Sequence, residues 1–312
     1  MSTGSSLSSD DRQARLVAMA AEVRPELHRY CARLMGSVIE GEDVVQDTLL
    51  RALVALQDVE DVPPLRPWLF RVAHNRALDL LRGRSVRNAE PLDAAAPEMA
   101  DTGNPDPLEM LMRQQAVKTA VSRFAELPVL QRSVVVLKDV LDESLTEIAA
   151  LLDLSVDAVK AHLARGRARL RQVNAQSGPL PDVRPPSAAV SRYVTLFNRR
   201  DWDALRSLLA DDVRLSQSTH AVRVGRADVG MFFTIYARSP EVWLAPAWLE
   251  GREVIAVFEN LADAKPSYMM WLEWVDGRIK FIRDYKYVRY VVAEAELALA
   301  LQDPNFPPGE NR

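Results

Sequence analysis

The spacing of apolar residues divides the chain into a helical part and a part that contains a sheet. Leu, Ala and Val recur every three to four residues through the first 178 residues, which predicts helices. Residues 188–199 and 202–210 keep this helical spacing, whereas residues 269–292 alternate around Asp276-Gly277, a dipeptide typical of a type I′ hairpin turn. Of the 21 aromatic residues, 17 lie beyond residue 178. The pattern predicts all-α domains followed by an α+β domain.

Residues 144–172 carry the clearest local pattern, two helices joined by a tight turn. Asp153 suits the left-handed conformation of that turn, and Ser155 is placed to cap the second helix. Apolar residues at i, i+3, i+4 and i+7 predict the first helix: Leu145, Ile148, Ala149 and Leu152. The inward-facing residues of the second helix are Val156, Val159 and Leu163. This arrangement is typical of a helix-turn-helix.

The second helix of this motif is basic, with no acidic residue after Asp157. Such a density of cations is expected of a helix that lies against phosphates, although a solvated helix face would look the same. The start of the helix is predicted to enter the major groove of DNA, and Ser155 is the first residue of this predicted DNA-binding surface. The residues nearest the base edges are Asp157, Lys160, Ala161 and His162. The later residues expected to hold phosphates are Arg165, Arg167 and Arg169.

Two proline-containing segments predict the domain boundaries. Residues 88–112 hold six acids, no bases and four prolines, which indicates an acidic flexible linker. This linker either is simply solvated or imitates the charge of DNA. Residues 174–187 form a second, Pro-rich linker. The predicted domains are therefore 12–87, 113–173 and 188–300.

Charge and composition exclude several classes of protein. The net charge of −4 excludes bulk basicity, so any nucleic-acid contact must come from local clusters. A single cysteine, Cys31, excludes an intrachain disulfide and is expected to be a buried apolar side chain. The four histidines have no zinc-ligand spacing, so no metal and no cofactor are expected. No membrane span or signal peptide is found, which predicts a cytoplasmic protein.

Charge is also polarised within the first domain. Between residues 66 and 87 six arginines stand against the single acid Asp79, and this basic segment contains Trp68 and Phe70. Aromatic rings can stack on unpaired bases. Core packing is favoured for Phe70, whereas Trp68 is expected either to pack in the core or to stack on a base. Residues 40–61 have the opposite sign, which suits a basic protein partner. Their acids are Glu40, Glu42, Asp43, Asp47, Asp58, Glu60 and Asp61.

Three blocks, residues 40–53, 66–84 and 127–171, together resemble the extracytoplasmic-function sigma factors of the bacterial sigma-70 family. The resemblance implies a sigma-2 domain, a sigma-4 domain and binding to core RNA polymerase and promoter DNA. The helix implied to bind polymerase contains Asp43, Gln46, Asp47, Leu50 and Arg51. The residues implied to recognise the −10 element are Trp68, Arg71, Asn75, Arg76 and Asp79, with the loop 57–65 capturing a flipped base. The second helix of the helix-turn-helix, Ser155 to Arg171, is implied to read the −35 element. Asp153 departs from the glycine that the family commonly has.

The last domain resembles the SnoaL-like family, an α+β cone, through residues 198–215 and the final hairpin. The resemblance implies a pocket in the cone, and the candidate polar residues are His220, Asp284 and Tyr285. Alternatively the interior is filled by tryptophans: Trp243, Trp248, Trp271 and Trp274. No catalytic residue is implied.

The sequence therefore predicts a sigma factor whose cone contacts its own sigma domains and regulates them in cis, without a separate anti-sigma factor. Two alternatives stay open. A one-component transcription regulator that senses a small ligand in the cone would leave residues 41–84 unused. A SnoaL-like enzyme fused to a DNA-binding module would need acid–base residues that the sequence does not identify.

Overall fold

The computed structural model describes residues 9–56, 64–88, 107–176 and 184–300. The chain divides between residues 177 and 178 into two compact units, one helical and one built on a sheet. Most of the linker 88–112, most of the loop 57–65 and half of the linker 174–187 lie outside the described residues. Within the described ranges, no helix has both the length and the apolar composition required to cross a membrane.

The first unit is helical throughout its described residues, as the periodicity predicts. Its α-helices are α1 (Ser9–Met35), α2 (Val38–Ala55), α3 (Leu65–Asn88), α4 (Pro107–Lys118), α5 (Val129–Val135), α6 (Leu145–Leu152) and α7 (Val156–Ala175). A 3-10 helix, Val121–Glu126, precedes α5, and a π-helical turn, Val136–Val140, follows it.

Apolar side chains from both halves of this unit form one core. Tyr30 of α1 and Phe70 of α3 belong to the same buried cluster as Phe124 and Val135. Phe70 is thus a core residue, as predicted. Cys31 is also fully buried there, and burial raises the pKa of its thiol. The segments expected to form separate domains, 12–87 and 113–173, therefore pack together as one unit.

The helix-turn-helix forms as its turn chemistry predicts. Asp153 ends α6 in the left-handed conformation, at φ 56° and ψ 49°. Ser155 Oγ accepts a hydrogen bond from the Ala158 amide at 3.1 Å and so caps α7. Val159 and Leu163 are buried, but the inward position predicted for Val156 is wrong, because this first residue of α7 is 36% exposed. Helix α6 begins with a capping box between Ser144 and Glu147, and the Ser-x-x-Glu spacing of this motif is visible in the sequence.

The second unit wraps helices around one sheet. Its helices are α8 (Ala188–Asn198), α9 (Trp202–Ser207), α10 (Arg226–Gly230), α11 (Phe232–Tyr236) and α12 (Tyr290–Ala293). Its strands are β1 (Leu209–Gln217), β2 (Arg223–Val224), β3 (Trp243–Leu249), β4 (Arg252–Phe258), β5 (Tyr268–Val275), β6 (Arg278–Asp284) and β7 (Ala298–Leu299).

The described strands make one sheet in the order β2-β1-β6-β5-β4-β3-β7. Strands β1 and β6 are parallel, and the other neighbouring pairs are antiparallel. The predicted hairpin joins β5 to β6, with Asp276 at φ 49° and Gly277 at φ 72°, as a type I′ turn requires. The predicted alternation reaches residue 292, but β6 ends at Asp284 and residues 290–293 form α12.

Aromatic side chains of α8 and α11 fill the core of the cone. Tyr193 and Phe197 come from α8, and Phe233 and Tyr236 come from α11. The four tryptophans expected in this core all remain partly exposed. An indole N–H needs a hydrogen-bond acceptor, and two of these tryptophans have one outside the core. Trp243 Nε1 donates to the Asn260 carbonyl at 3.1 Å, and Trp248 Nε1 donates to the Arg184 carbonyl at 2.8 Å.

Candidate nucleic-acid interface

The start of α7 presents the side chains expected at the base edges. Asp157 is exposed, while Lys160, Ala161 and His162 are half-buried. Because its hydroxyl caps the helix, Ser155 positions α7 as well as bordering this surface. The His162 ring nitrogen Nδ1 lies 3.4 Å from an Arg165 nitrogen. Burial, followed by the positive charge of Arg165, lowers the pKa of His162 below its ordinary value.

Arg167 differs from the other cations of α7 because it faces the interior. Its Nη2 and Nε atoms donate to the two oxygens of Asp139 at 2.6 and 2.9 Å. The Asp139 side chain is 1% exposed. This bidentate pair joins α7 to the turn after α5, and it weighs against the predicted phosphate contact of Arg167. Arg169 and Arg171, in contrast, are exposed.

Helix α3 holds its candidate DNA-binding residues on different sides. Asn75 and Asp79 are exposed. Arg71 is also exposed, and its guanidinium donates to the Ala150 carbonyl of α6. Trp68 is half-buried against the helical core. Arg76 contacts the Asp47 carboxylate of α2. Two residues assigned to different partners, Arg76 and Asp47, therefore pair with each other.

The candidate polymerase-binding residues share one face of α2. Their spacing of i, i+3, i+4, i+7 and i+8 places them along one stripe: Asp43, Gln46, Asp47, Leu50 and Arg51. Leu50 is 57% exposed, and Val54 continues the same stripe at 70% exposed. Val54 is not among the predicted residues of this stripe, although its position one turn after Leu50 indicates that it belongs there.

One acid of the segment 40–61 does not belong to this surface. Glu42 is fully buried and contacts the guanidinium of Arg24 in α1. A buried carboxylate is stable only with such a partner. Glu42 therefore joins α1 to α2, and counting it with the surface acids was wrong.

The three polar residues suggested for the cone pocket have different surroundings. His220 is exposed and stacks on Tyr287 at a centroid distance of 4.0 Å. Asp284 is fully buried and accepts from Gln217 Nε2 at 2.8 Å and from the Lys286 amide at 2.9 Å. The Tyr285 ring packs under Arg283, 5.7 Å from its guanidinium carbon.

Three tyrosines accompany Asp284 inside the cone. Tyr193, Tyr236 and Tyr268 are buried, and the nearby Asp284 carboxylate adds to the effect of burial in raising their pKa values. The hydroxyls of Tyr236 and Tyr268 are 2.8 Å apart. Burial also raises the pKa of Asp284, to about 6. These tyrosines come from α8, α11 and β5, and no sequence spacing connects them.

Comparison with known proteins matches both units. The Sigma-70 region 2 family matches residues 19–87, the Sigma-70 region 4 family residues 121–170, and the SnoaL-like domain residues 190–282. The RNA polymerase sigma factor CnrH of Cupriavidus metallidurans is 36% identical over 136 residues, covering 41% of this chain and 70% of CnrH. The chain belongs to the extracytoplasmic-function sigma factors.

Two further sigma factors align with a larger part of this chain than CnrH does. SigG of Mycobacterium tuberculosis, an ECF RNA polymerase sigma factor, is 30% identical over 223 residues, which cover 64% of this chain. The match spans 60% of the length of SigG. The crystal structure of the M. tuberculosis sigma factor SigJ aligns with 86% of this chain and 95% of SigJ, at 22% identity and a TM-score of 0.33. The region 2 match includes α2 and α3, and the region 4 match includes α6 and most of α7.

Proposed function

We propose that this sigma factor binds bacterial core RNA polymerase and directs initiation at its own class of promoter. In this proposal the α2 stripe binds polymerase, α3 recognises the −10 element and α7 reads the −35 element. The observation that carries the proposal is that one sigma-family chain has both exposed apolar residues on α2 and a capped, basic α7. An exposed apolar stripe on a charged helix needs a partner surface.

The α7 contacts divide into two kinds. Lys160 lies in the part of α7 that follows the Ser155 cap, where a recognition helix reads bases. Arg169 and Arg171 lie two to three turns later and are exposed, which suits phosphate contacts. Base contacts set sequence preference, and phosphate contacts set affinity for any sequence.

Reconstituted transcription tests the proposal. The full chain is combined with core polymerase, and run-off transcripts are mapped on genomic fragments. Lys160→Ala is expected to change promoter preference, whereas Arg169→Ala is expected to weaken binding to all sequences and to lower the salt slope by about one. A chain that binds DNA but neither binds core polymerase nor supports initiation would instead be a one-component regulator.

We further propose that the cone regulates the sigma domains in cis, so that no separate anti-sigma factor is needed. A short flexible linker gives a tethered domain an effective concentration on the order of millimolar, so a modest affinity is sufficient. Truncation after Ser177 tests this. The helical unit ends there, whereas truncation after Val173 would remove Asn174, which donates to Thr119 Oγ1 at 2.9 Å. If promoter-specific transcription increases, the cone is an inhibitor. If transcription is lost, the cone is an activator. Unchanged transcription would contradict regulation in cis.

The Asp284 cluster supports a small-ligand site in the cone. Within the described part of the chain, the buried hydroxyls of Tyr193 and Ser218 have no hydrogen-bond partner, and a polar ligand would supply one. We propose binding rather than catalysis, since the hydrogen bonds to the Asp284 carboxylate come from an amide side chain and a backbone amide. Native mass spectrometry of the purified chain should detect a bound small molecule that the Asp284→Ala variant lacks, and an unliganded wild-type chain would contradict the proposal.

A further inference from the structure

The sheet of the cone has one face against the core and a second face on the opposite side. Side chains alternate between the two faces along each strand. Leu215 of β1, Leu272 of β5 and Ile282 of β6 belong to the buried core, so their neighbours in each strand lie on the second face. We call this surface the solvent-side face of the sheet. Its residues on these three strands are Arg214, Ser216, Trp271, Glu273, Phe281 and Arg283.

Strand pairing arranges the solvent-side face in two adjacent rows. In the first row Arg214 pairs with Phe281, and Phe281 pairs with Glu273. In the second row Arg283 pairs with Trp271. Trp271 and Phe281 are diagonal neighbours, and their ring centroids lie 5.9 Å apart in an edge-to-face arrangement. Two aromatic rings thus lie together with an arginine beside each.

These two rings are not part of the core of the cone. Trp271 and Phe281 are both partly exposed, and within the described part of the chain neither is among the residues that form that core or pack against it. Trp274, three residues after Trp271, does pack against it. Val224 of β2 pairs with Arg214 and is 58% exposed, which extends the apolar surface. A contiguous exposed apolar surface of this kind indicates a binding site.

The charges on this face are mainly positive. Arg214 is exposed, and its guanidinium has no ion-pair partner among the described residues. The exposed Arg252 lies over the Trp271 ring, with its guanidinium carbon 5.9 Å from the ring centroid. Arg283 is the third cation. Glu273 is the one acid in the two rows, so three positive charges stand against a single negative charge.

Aromatic rings framed by arginines have the chemistry that recognises single-stranded nucleic acid. Unpaired bases stack on aromatic side chains, and cations neutralise the phosphates between them. We propose that the solvent-side face binds single-stranded DNA, with Trp271 and Phe281 against the bases and Arg214 and Arg252 near the phosphates. The choice of DNA rests on the proposed function, because opening a promoter exposes an unpaired DNA strand.

This site is separate from the Asp284 cluster. Asp284 pairs with Met270, a core residue, and therefore lies on the opposite face of the sheet. The proposed site is also independent of α3 and α7, since all of its residues belong to the cone.

Binding of fluorescein-labelled oligothymidine to the full chain, followed by fluorescence anisotropy, tests the proposal. Trp271→Ala is expected to weaken binding about tenfold, the effect of losing one stacked base. Trp271→Phe keeps an aromatic ring and should retain most of the affinity. Arg214→Ala should lower the salt slope by about 0.7, the value for one phosphate contact with a single strand. Circular dichroism checks that each variant is folded.

Photocrosslinking locates the bound strand directly. Oligothymidine that carries iododeoxyuridine forms covalent bonds with nearby aromatic side chains on irradiation. Mass spectrometry of the digested chain should find these crosslinks at Trp271 or Phe281. This measurement distinguishes binding by the cone from any binding by the helical unit.

Arg192→Ala is the matched control. Arg192 is an exposed arginine of the cone, and its loss removes the same charge as Arg214→Ala. It lies on α8, whose side chains pack on the core side of the sheet. Arg192→Ala should therefore leave both the affinity for oligothymidine and the salt slope unchanged.

Several outcomes would overturn the inference. These are a full chain that does not bind oligothymidine, wild-type affinity of Trp271→Ala, crosslinks confined to the helical unit, and equal effects of Arg192→Ala and Arg214→Ala. Tighter binding of oligouridine with the same dependence on Trp271 would make RNA the ligand instead of DNA. These measurements use no polymerase. A chain that binds oligothymidine through this face but does not bind core polymerase contradicts the proposed function alone.

Discussion

Arg167 is an arginine of α7 that pairs with a buried carboxylate of its own unit. The sequence counts it with its basic neighbours, because it lies two residues after Arg165 and two before Arg169. Its partner Asp139 is 28 residues away, on the turn after α5. A pairing across that distance depends on how the helices pack, and local spacing does not contain it. Glu42, paired with Arg24, was misassigned for the same reason.

Removal of Asp139 should destabilise the helical unit strongly. Asp139→Ala leaves the Arg167 guanidinium partly buried without its counter-charge, which typically costs about 3 kcal/mol of unfolding free energy. Urea denaturation followed by circular dichroism measures this. Asp203→Ala, at the exposed pair with Arg206 in the cone, is the control and should change stability by less than about 0.5 kcal/mol.

The same measurement separates the two kinds of arginine. Arg167→Ala should lower stability, whereas Arg171→Ala should leave stability unchanged and weaken DNA binding at every sequence. If Arg167→Ala has wild-type stability, the Asp139 pair is not needed for the fold, and Arg167 again becomes a candidate for contact with DNA.

Asp284 gives the cone a pH-dependent stability. Burial raises its pKa to about 6, against about 3.9 in an unfolded chain. Between these values the folded cone binds more protons than the unfolded chain, so the free energy of unfolding falls as pH rises and levels off above about pH 6. Asp284→Asn carries no charge and should abolish this fall. Above pH 6.5 the variant should be more stable than the wild type by about 2 kcal/mol, and below pH 4 the two should be equal.

Tryptophan fluorescence during urea unfolding measures this prediction, because five of the six tryptophans lie in the cone. Asp212→Asn is the matched control. Asp212 is an exposed carboxylate on β1, and its hydrogen bond from Lys280 lowers its pKa. The control should therefore keep the loss of stability between pH 4 and 6. A wild-type cone that gains stability over this range would contradict the assignment to Asp284.

Helix α2 combines an inner face that builds the core with an outer face that carries two exposed apolar side chains. Val44, Val45 and Leu49 are buried, whereas Leu50 and Val54 are exposed. Two large apolar side chains one turn apart on a surface indicate a binding site rather than a packing requirement. Leu50 and Val54 can therefore change without loss of the fold.

Substitution on this outer face should separate polymerase binding from stability. Val54→Asp and Leu50→Asp are each expected to weaken binding to core polymerase at least about tenfold, since an interface residue becomes a desolvated charge. Unfolding free energy should change by less than about 0.5 kcal/mol. Fluorescence anisotropy with labelled sigma factor measures the affinity, and Leu261→Asp, at an exposed leucine of the cone, is the control. If the Val54→Asp variant binds core polymerase with wild-type affinity, Val54 is not part of the interface.

Local chemistry explains which elements the sequence predicted correctly. The Asp153 turn, the Ser155 cap and the Asp276-Gly277 hairpin each depend on a few neighbouring residues. The course of the chain after Asp284 was not predictable in this way. Residues 285–292 remain rich in Tyr and Val, but the pairing of β6 with β5 and with the distant β1 ends at Asp284 in both cases.

The organisation of the whole chain depends on contacts that no single segment encodes. The sequence correctly separates a helical part from a sheet-containing part, but it divides the helical part at the acidic linker. Gly36, at φ 74°, shows why the halves join: a Cβ there would lie 2.7 Å from the Ala125 Cβ. Gly36 ends α1 in the first half, and Ala125 lies in the 3-10 helix of the second. The close approach requires glycine.

The shared core predicts that the helical unit survives a cut in its linker. A protease site inserted between residues 94 and 98 of the full chain, once cleaved, should give two fragments that co-elute in gel filtration. The halves bury a common apolar cluster, and two polar contacts cross between them, since Arg132 donates to the Leu34 carbonyl and Arg66 pairs with Glu143. Burial of that apolar surface, rather than the covalent linker, would then hold the halves together.

Gly36→Ala makes this test specific to the close approach. The added methyl group meets Ala125 and should weaken the association of the fragments about tenfold, the effect of a moderate steric overlap in a packed interface. Gly251→Ala is the matched control, because Gly251 has a similar φ of 76° but nothing within 4 Å of the position of its Cβ. It introduces the same backbone strain in the cone without touching the joint. If the wild-type fragments separate, the halves are independent domains. If Gly36→Ala and Gly251→Ala weaken the association of the fragments equally, the effect of Gly36→Ala comes from backbone strain alone.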